Sequence, residues 1–363
     1  MSNRTIVPAL ALLWSGAVFA LPTPAAKSVM QHAAVSAARA VPAPAPAPVP
    51  APVPAPAPAG VAPVAAAPTP PAAAPVDAIV LPATLTADRQ ALLRMQVMLD
   101  RAGFSPGVID GKNGSNFQSA FAAWKAAHND AAPVADTAPL PLMRYAIAPE
   151  DVAGPFAPVP KDLAEMAKMK IVGYTTPLEG LAERFHADEA FLKELNPHAD
   201  FATSGTAIVV PDVSPTKLSA KVAKIEIDKT HQQLRAYAAE GKLLAVYPAT
   251  VGSTERPAPS GRYRVVTWAP HATYTYDPKR LTFGKRVEGK LVIPAGPNNP
   301  VGGMWIALNK PTYGIHGTPE PQLVGKRASH GCVRLTNWDA ATLGAAVQKG
   351  TQVVFVGVEQ RKG

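Results

Sequence analysis

A tract of nearly pure Ala, Pro and Val from about residue 40 to residue 75, beginning Pro42-Ala43-Pro44-Ala45-Pro46, limits what this chain can fold into more than any other feature. Proline lacks a backbone N–H and fixes φ, so the tract completes neither a helix nor a central strand. It has no periodic apolar face to bury and favours extended polyproline II geometry. At ~3.1 Å per residue its length comes to about 100 Å, the reach of a tether. The chain holds 41 prolines among 363 residues, mostly in its first 160 positions, which argues against one compact body. The remaining length accommodates two or three domains.

The N-terminus reads as a secretory signal over residues 1–20. Arg4 supplies the positive start, Ile6 to Phe19 the apolar segment and Val18-Phe19-Ala20 the small residues for cleavage. Pro8 and the short apolar run argue against a stable membrane span, although an uncleaved anchor is the alternative. Residues 21–83 are then a Pro/Ala-rich linker, and the body of the protein is expected in the periplasm or cell wall. A net charge of +9 points to an anionic or carboxylate-rich partner. No nucleic acid is expected, because the chain has no run of five Lys/Arg and no nucleic-acid-binding signature. The single cysteine, Cys332, can form no intramolecular disulfide. In an oxidising compartment such a thiol is either buried and inert, or used.

Order resumes near Thr84. Leu92, Met95, Gln96, Leu99 and Ala102 fall at helical spacing, Gly103 ends that helix, and Phe117, Ala120, Phe121 and Trp124 share the face of a second. With the Val108-Ile109-Asp110-Gly111 turn, residues 84–130 resemble a small helical peptidoglycan-binding domain. The family's Phe-Gln is here Ala123-Trp124, and a generic helical hairpin is the alternative. Residues 131–169 read as a Pro/Ala-rich connector with a short amphipathic piece from Leu140 to Tyr145. In residues 170–213, Leu181-Ala182-Glu183-Arg184-Phe185, Leu195-Asn196-Pro197 and Ile208-Val209-Val210-Pro211 imply a strand, two helices and a strand. That order resembles LysM, which implies binding of the peptidoglycan glycan. The family's Gly-Asp-Thr-Leu appears as Leu178-Glu179-Gly180-Leu181, and a structural spacer is the alternative reading.

From Ala223 the texture becomes β. Alternation or β-rich composition marks strands at Ile225–Asp228, Leu234–Tyr237, Leu243–Tyr247, Tyr263–Trp268, Leu291–Ile293, Met304–Leu308 and Gln352–Val358, with one late helix from Asn337 to Gln348. A mostly-β sandwich or barrel is expected. The fold class is therefore multidomain: this β domain, preceded by the small α+β and helical domains.

The reactive residues gather between Tyr313 and Arg334, in Tyr313-Gly314-Ile315-His316-Gly317-Thr318 and Ser329-His330-Gly331-Cys332-Val333-Arg334. A thiol needs a base or a cationic neighbour to act as a nucleophile near neutral pH, and histidine titrates in that range. Gly331 permits a tight turn whose N–H groups can face an oxyanion. A zinc or copper site on Cys332, His330 and His316 is a rival, with Asp339 or Glu320 as fourth ligand. The lack of a second cysteine weighs against it, and no metal or other cofactor is expected.

His-Gly-Thr, with its histidine sixteen positions before the cysteine of Ser-His-Gly-Cys-Val-Arg, is similar to the L,D-transpeptidase (YkuD) catalytic domain over residues 222–358. The resemblance implies Cys332 as nucleophile and His316 as general base. It implies that the His330, Gly331 and Cys332 backbones shape an oxyanion hole while Ser329 fixes the loop. Arg334 is then the arginine that holds a substrate carboxylate or orders the loop, and Tyr313, Gly317 and Thr318 flank the substrate. Implied too are attack on the third residue of a tetrapeptide stem, release of D-alanine, and transfer to an amine of another stem, to a protein lysine or to water. Peptidoglycan stems and glycan are the implied partners, a wall-attached protein a further acceptor, and carbapenems the implied inhibitors. A wall-binding protein with a vestigial catalytic domain is the non-enzymatic alternative. The other six histidines, among them His186, carry no motif and are expected to be solvated.

Overall fold

The computed structural model describes residues 79–130, 140–213, 217–252, 257–279, 289–326 and 331–358. The signal-like segment, the Ala/Pro tract, Ser329 and His330 lie outside the described residues. Two helices come first, α1 (Ala87–Arg101) and α2 (Ser115–Ala127). Thr86 caps α1 by accepting from the Arg89 N–H, and Gly103, at φ +82°, turns the chain out of it. Strand β1 (Leu142–Ala146) follows, then α3 (Leu163–Met166), α4 (Pro177–Arg184), α5 (Glu189–Leu195) and β2 (Ala207–Pro211). Thr176 and Asp188 cap α4 and α5, each accepting a backbone N–H of the first turn.

Part of the region read as a connector is thus structured. Leu142–Ala146 pairs antiparallel with Ala207–Pro211, Leu142 facing Pro211 and Ala146 facing Ala207. The first strand of the strand-helix-helix-strand unit therefore comes from residues 142–146, and no strand forms near residue 170. The segment from Leu140 to Tyr145 reads as amphipathic, but only the partner strand some 65 positions away makes it a strand. Val172 bonds elsewhere: its N–H reaches the Ala295 carbonyl and its own carbonyl accepts from Asn298.

The remaining strands are β3 (Lys224–Asp228), β4 (Gln233–Tyr237), β5 (Leu243–Pro248), β6 (Thr250–Val251), β7 (Gly261–Pro270), β8 (Tyr274–Tyr276), β9 (Leu291–Ile293), β10 (Met304–Leu308), β11 (Gly314–His316) and β12 (Val333–Arg334). Helix α6 (Asn337–Ala346) and β13 (Gln352–Val356) complete the chain. Nine strands form one sheet in the order β5-β4-β3-β13-β7-β10-β11-β12-β6, and β8 and β9 form a separate hairpin. Only Ala249 separates β5 from β6, yet they are the two edges of the sheet. The sheet must therefore coil until its edges meet at that corner, giving a nearly closed barrel. Ile225, Ile227, Leu234, Ile306, Ile315, Val333 and Val353 fill its inside, all fully buried.

Gln232 seals the corner. Its side-chain amide accepts from the Val251 N–H at 2.9 Å and donates to the Val251 carbonyl at 3.3 Å, standing in for a peptide of a missing strand. Gln232→Ala is expected to lower stability by about 1–3 kcal/mol, because both backbone groups lose their partner at a buried residue. Urea denaturation checks this, and an unchanged midpoint would show that the corner is held otherwise.

All the described residues fall within one compact unit, Pro68–Gly363. Gly103 and Ser105 pair with Val246 of β5, covering that sheet edge, and Phe104 and Phe117 share an apolar cluster with Val246. Phe191 and Leu195 of α5 pack with Leu93 and Val97 of α1. The helical pair, the strand-helix-helix-strand unit and the barrel are packed into one body.

Candidate active site

Pairing across four strands aligns the site. Trp305 of β10 faces His316 of β11, His316 faces Arg334 of β12, and Arg334 faces Thr250 of β6. The next row is Ile306, Ile315, Val333 and Val251, each 0–1% exposed in the barrel core. Successive side chains alternate between faces, so His316 and Arg334 share the face opposite that core. Cys332 stands one residue before β12, near Gly314 and Arg334, and packs against the barrel's apolar cluster. A one-residue slip would exchange the rows, and burial of the aliphatic row prevents it.

His316 is buried, and its Nδ1 lies 2.6 Å from the Gly317 carbonyl oxygen. A carbonyl only accepts, so Nδ1 carries the proton and Nε2 keeps its lone pair. The Trp305 ring stacks on it at 5.6 Å. Burial above all, then the Arg334 charge, holds the imidazole down to about 4, with the Gly317 hydrogen bond opposing. It is therefore a neutral base at ordinary pH. Cys332 is half-buried, its Sγ 3.9 Å from the Thr312 carbonyl oxygen. Burial pushes the thiol above its ordinary value, against the lowering effects of the Gly314 N–H and the Arg334 charge. At rest the pair is thiol and imidazole, both uncharged.

The loop around the thiol is constrained on both sides. Gly331 sits at φ +122°, a conformation that favours glycine, and its carbonyl accepts from the Tyr313 hydroxyl. In a planar trans peptide the N–H opposes the C=O, so this bond turns the Cys332 N–H away from Tyr313. Thr312, at φ +62°, is a β-branched residue in the left-handed region, its carbonyl near the Cys332 thiol. Gly314 needs its missing side chain: a Cβ there would stand 2.6 Å from Trp305. Tyr274 of the β8–β9 hairpin comes near Cys332 and Arg334. Burial first, then Cys332, raises its phenol to about 12 despite Arg334.

Of the expected site residues, the structure brings His316, Gly331, Cys332 and Arg334 together, with Tyr313 on the loop. Tyr313 is 7% exposed with its hydroxyl on Gly331, so it grips the nucleophile loop where a substrate contact was expected. Gly317 acts through its carbonyl on His316. Thr318 is buried, accepts from the Glu320 N–H and lines a small cavity with Thr250 and Arg334. Thr250, Tyr274 and Asn337 escaped the sequence reading. Asn337, in the Leu335-Thr336-Asn337 continuation of the cysteine motif, was the most accessible of these.

His186 is not solvated. Its Nδ1 lies 3.0 Å from Asp100 and its ring stacks on Trp338 at 4.9 Å. Burial works to lower its pKa, but the Asp100 carboxylate outweighs burial and the imidazole stands above its ordinary value. Asp339, considered above as a metal ligand, instead accepts from the Ser105 hydroxyl at 2.9 Å. Among the described residues no three His, Cys, Asp or Glu side chains gather as a metal-binding group.

Residues 223–355 match the family model of the YkuD L,D-transpeptidase catalytic domain. The putative L,D-transpeptidase YkuD of Bacillus licheniformis is 28% identical over 179 residues, covering 48% of this chain and 91% of that protein. The probable L,D-transpeptidase ErfK/SrfK of Escherichia coli is 32% identical over 188 residues, and the match spans 50% of this chain and 60% of that protein. A solved L,D-transpeptidase from Mycobacterium smegmatis aligns with a TM-score of 0.31 at 18% identity, over 44% of this chain and 77% of that one, a likeness too slight to carry the assignment. The matched residues include both Cys332 and His316, and over residues 223–355 the chain is similar to the L,D-transpeptidase catalytic domain of the YkuD family.

Proposed function

We propose that this protein is an exported, cysteine-dependent peptidoglycan L,D-transpeptidase that crosslinks stem peptides. The observation that carries the reading is His316 in register with Arg334, two residues after Cys332, its Nδ1 tied to the Gly317 carbonyl so that Nε2 is the free base. His316 Nε2 takes the Sγ–H proton as Cys332 attacks the carbonyl of the third stem residue. The oxyanion meets the Cys332 N–H, oriented by Tyr313 through the Gly331 carbonyl, with the neighbouring loop amides of Gly331 and His330. The C–N bond to D-alanine breaks as the imidazolium returns its proton to the leaving amine, leaving a thioester on Cys332. An acceptor amine then attacks, His316 takes its proton, and C–S cleavage restores the thiol.

Arg334 offers its guanidinium to a substrate carboxylate beside the thiol, and Ser329 steadies the loop. The strand-helix-helix-strand unit and the helical pair hold the glycan, consistent with their resemblance to LysM and peptidoglycan-binding domains. The signal-like N-terminus and the Ala/Pro tract fit an exported enzyme working at the wall. The reactive thiol beside a neutral base fits acylation by carbapenems.

The test is to incubate the purified chain with disaccharide-tetrapeptides and follow products by mass spectrometry, with Cys332→Ala as control. A crosslinked dimer, or exchange of terminal D-alanine for an added D-amino acid, is expected. Loss of D-alanine alone would make the protein a trimming carboxypeptidase. Sacculus binding without any Cys332-dependent product would instead make it a wall-binding protein.

A further inference from the structure

We infer that Glu183, in the strand-helix-helix-strand unit, positions the catalytic base of the barrel through Asn337. The inference rests on His316 being the base for Cys332, as proposed above. Helix α4 presents Glu179 and Glu183, four positions apart and so on one helix face, toward the catalytic domain. Glu179 Oε1 accepts from Asn298 at 2.7 Å, and Glu183 Oε2 accepts from Asn337 Nδ2 at 2.7 Å.

Asn337 is buried and its amide orientation is settled by its partners. Nδ2 also donates to the Pro297 carbonyl at 3.1 Å, while Oδ1 accepts from the Gly303 N–H at 3.0 Å. That oxygen lies hard against the main chain. A Cβ built on either Gly302 or Gly317 would stand 2.1 Å from it. Gly317 is the residue whose carbonyl holds His316 Nδ1. The contacts therefore run Tyr174 hydroxyl to Glu183, Glu183 to Asn337, Asn337 against Gly317, and Gly317 to His316.

Glu183 is costly to keep there. Burial, outweighing the Asn337 and Tyr174 hydrogen bonds, pushes its carboxyl up to about 7. A buried carboxylate joining two units through donors alone is what a register device needs, because an apolar contact would let α4 slide on the barrel without loss. The unit that carries Glu183 is thus part of the catalytic apparatus, whatever glycan it also binds.

Glu183→Leu separates positioning from mere attachment. Leucine keeps the bulk of the side chain but offers no acceptor, so Asn337 Nδ2 keeps only the Pro297 carbonyl. The expected result, measured well below the melting temperature, is kcat for D-amino acid exchange lowered about tenfold with KM within twofold. Glu183→Gln is the rescue: its Oε1 accepts from Asn337 while its N–H₂ donates to the Tyr174 hydroxyl, so kcat should lie within threefold of wild type. If Glu183→Leu does not fold, Glu183→Ala is read in the same way. A folded Glu183→Leu or Glu183→Ala enzyme with unchanged kcat, beside an active wild type, overturns the positioning role and leaves the transpeptidase reading intact. A wild type without Cys332-dependent turnover removes that reading and this inference with it.

Discussion

His316→Gln should slow acylation of Cys332 by about a thousandfold, measured as single-turnover formation of the carbapenem adduct by intact-protein mass spectrometry. The size of the effect follows from the resting state. Burial keeps the thiol protonated and the imidazole neutral, with His316 held to about 4. The thiolate must therefore be made during attack, and His316 Nε2 keeps the lone pair to make it. The pH dependence follows with its sign. In a Glu183→Gln background, where the carboxyl held near 7 no longer titrates, acylation should fall on acidification only as His316 takes a proton near pH 4. An acid limb at pH 6–7 in that background would sink this picture, because it would mean an imidazole in an ordinary, solvated setting.

Asp339→Asn should stabilise the fold at pH 8 by up to about 4 kcal/mol and change it little at pH 4.5, a difference thermal melting can follow. Asp339 is buried where α1, the segment after α4 and α6 meet, accepting from Ser105 and standing near Asp100 and His186. Burial, then the Asp100 charge, raises its carboxyl from 3.8 to about 7, against the Thr336, His186 and Ser105 contributions. The folded state thus keeps a proton that the unfolded chain gives up near pH 4. Stability from this group is complete below that pH and is lost as pH rises through 7. Glu183 and His186, both raised, act in the same direction, whereas the depressed His316 costs stability as pH falls from 6.5 toward 4. Comparing wild type with Asp339→Asn cancels Glu183 and His316, while His186, which Asp339 helps to raise, moves with it. An equal shift at the two pH values, or a loss at pH 8, would mean that Asp339 is ionised in the fold at no cost.

Most elements were legible because their signals are local. The alternation in Ile225–Asp228 and Leu234–Tyr237, the turn at Glu240-Gly241 and the helical spacing around Leu92 and Leu181 each lie within one element. Cys332 and His316 stood out as candidates because a thiol nucleophile needs a base, and the chain has one cysteine with a histidine-bearing motif close by. The strands β6, β11 and β12 left no such trace. With two or three residues apiece they have no period to read, and they exist because neighbours supply their hydrogen bonds.

Residue type and spacing along the chain were enough to mark Cys332 and His316 as candidates, to find where the β domain begins and to pick out the apolar helical faces. Only the tertiary structure decided that β5 and β6 meet as opposite edges of a coiled sheet, that residues 142–146 are a strand, and that His186 is buried on Asp100. It alone brought Glu183 to Asn337, 154 positions away, beside the Gly317 that holds His316. A buried polar pair carries no periodicity, and glutamate on a short amphipathic helix is ordinarily a solvated residue. Its partner is chosen by how α4 packs on the barrel, and that packing is set by apolar surface far from either residue.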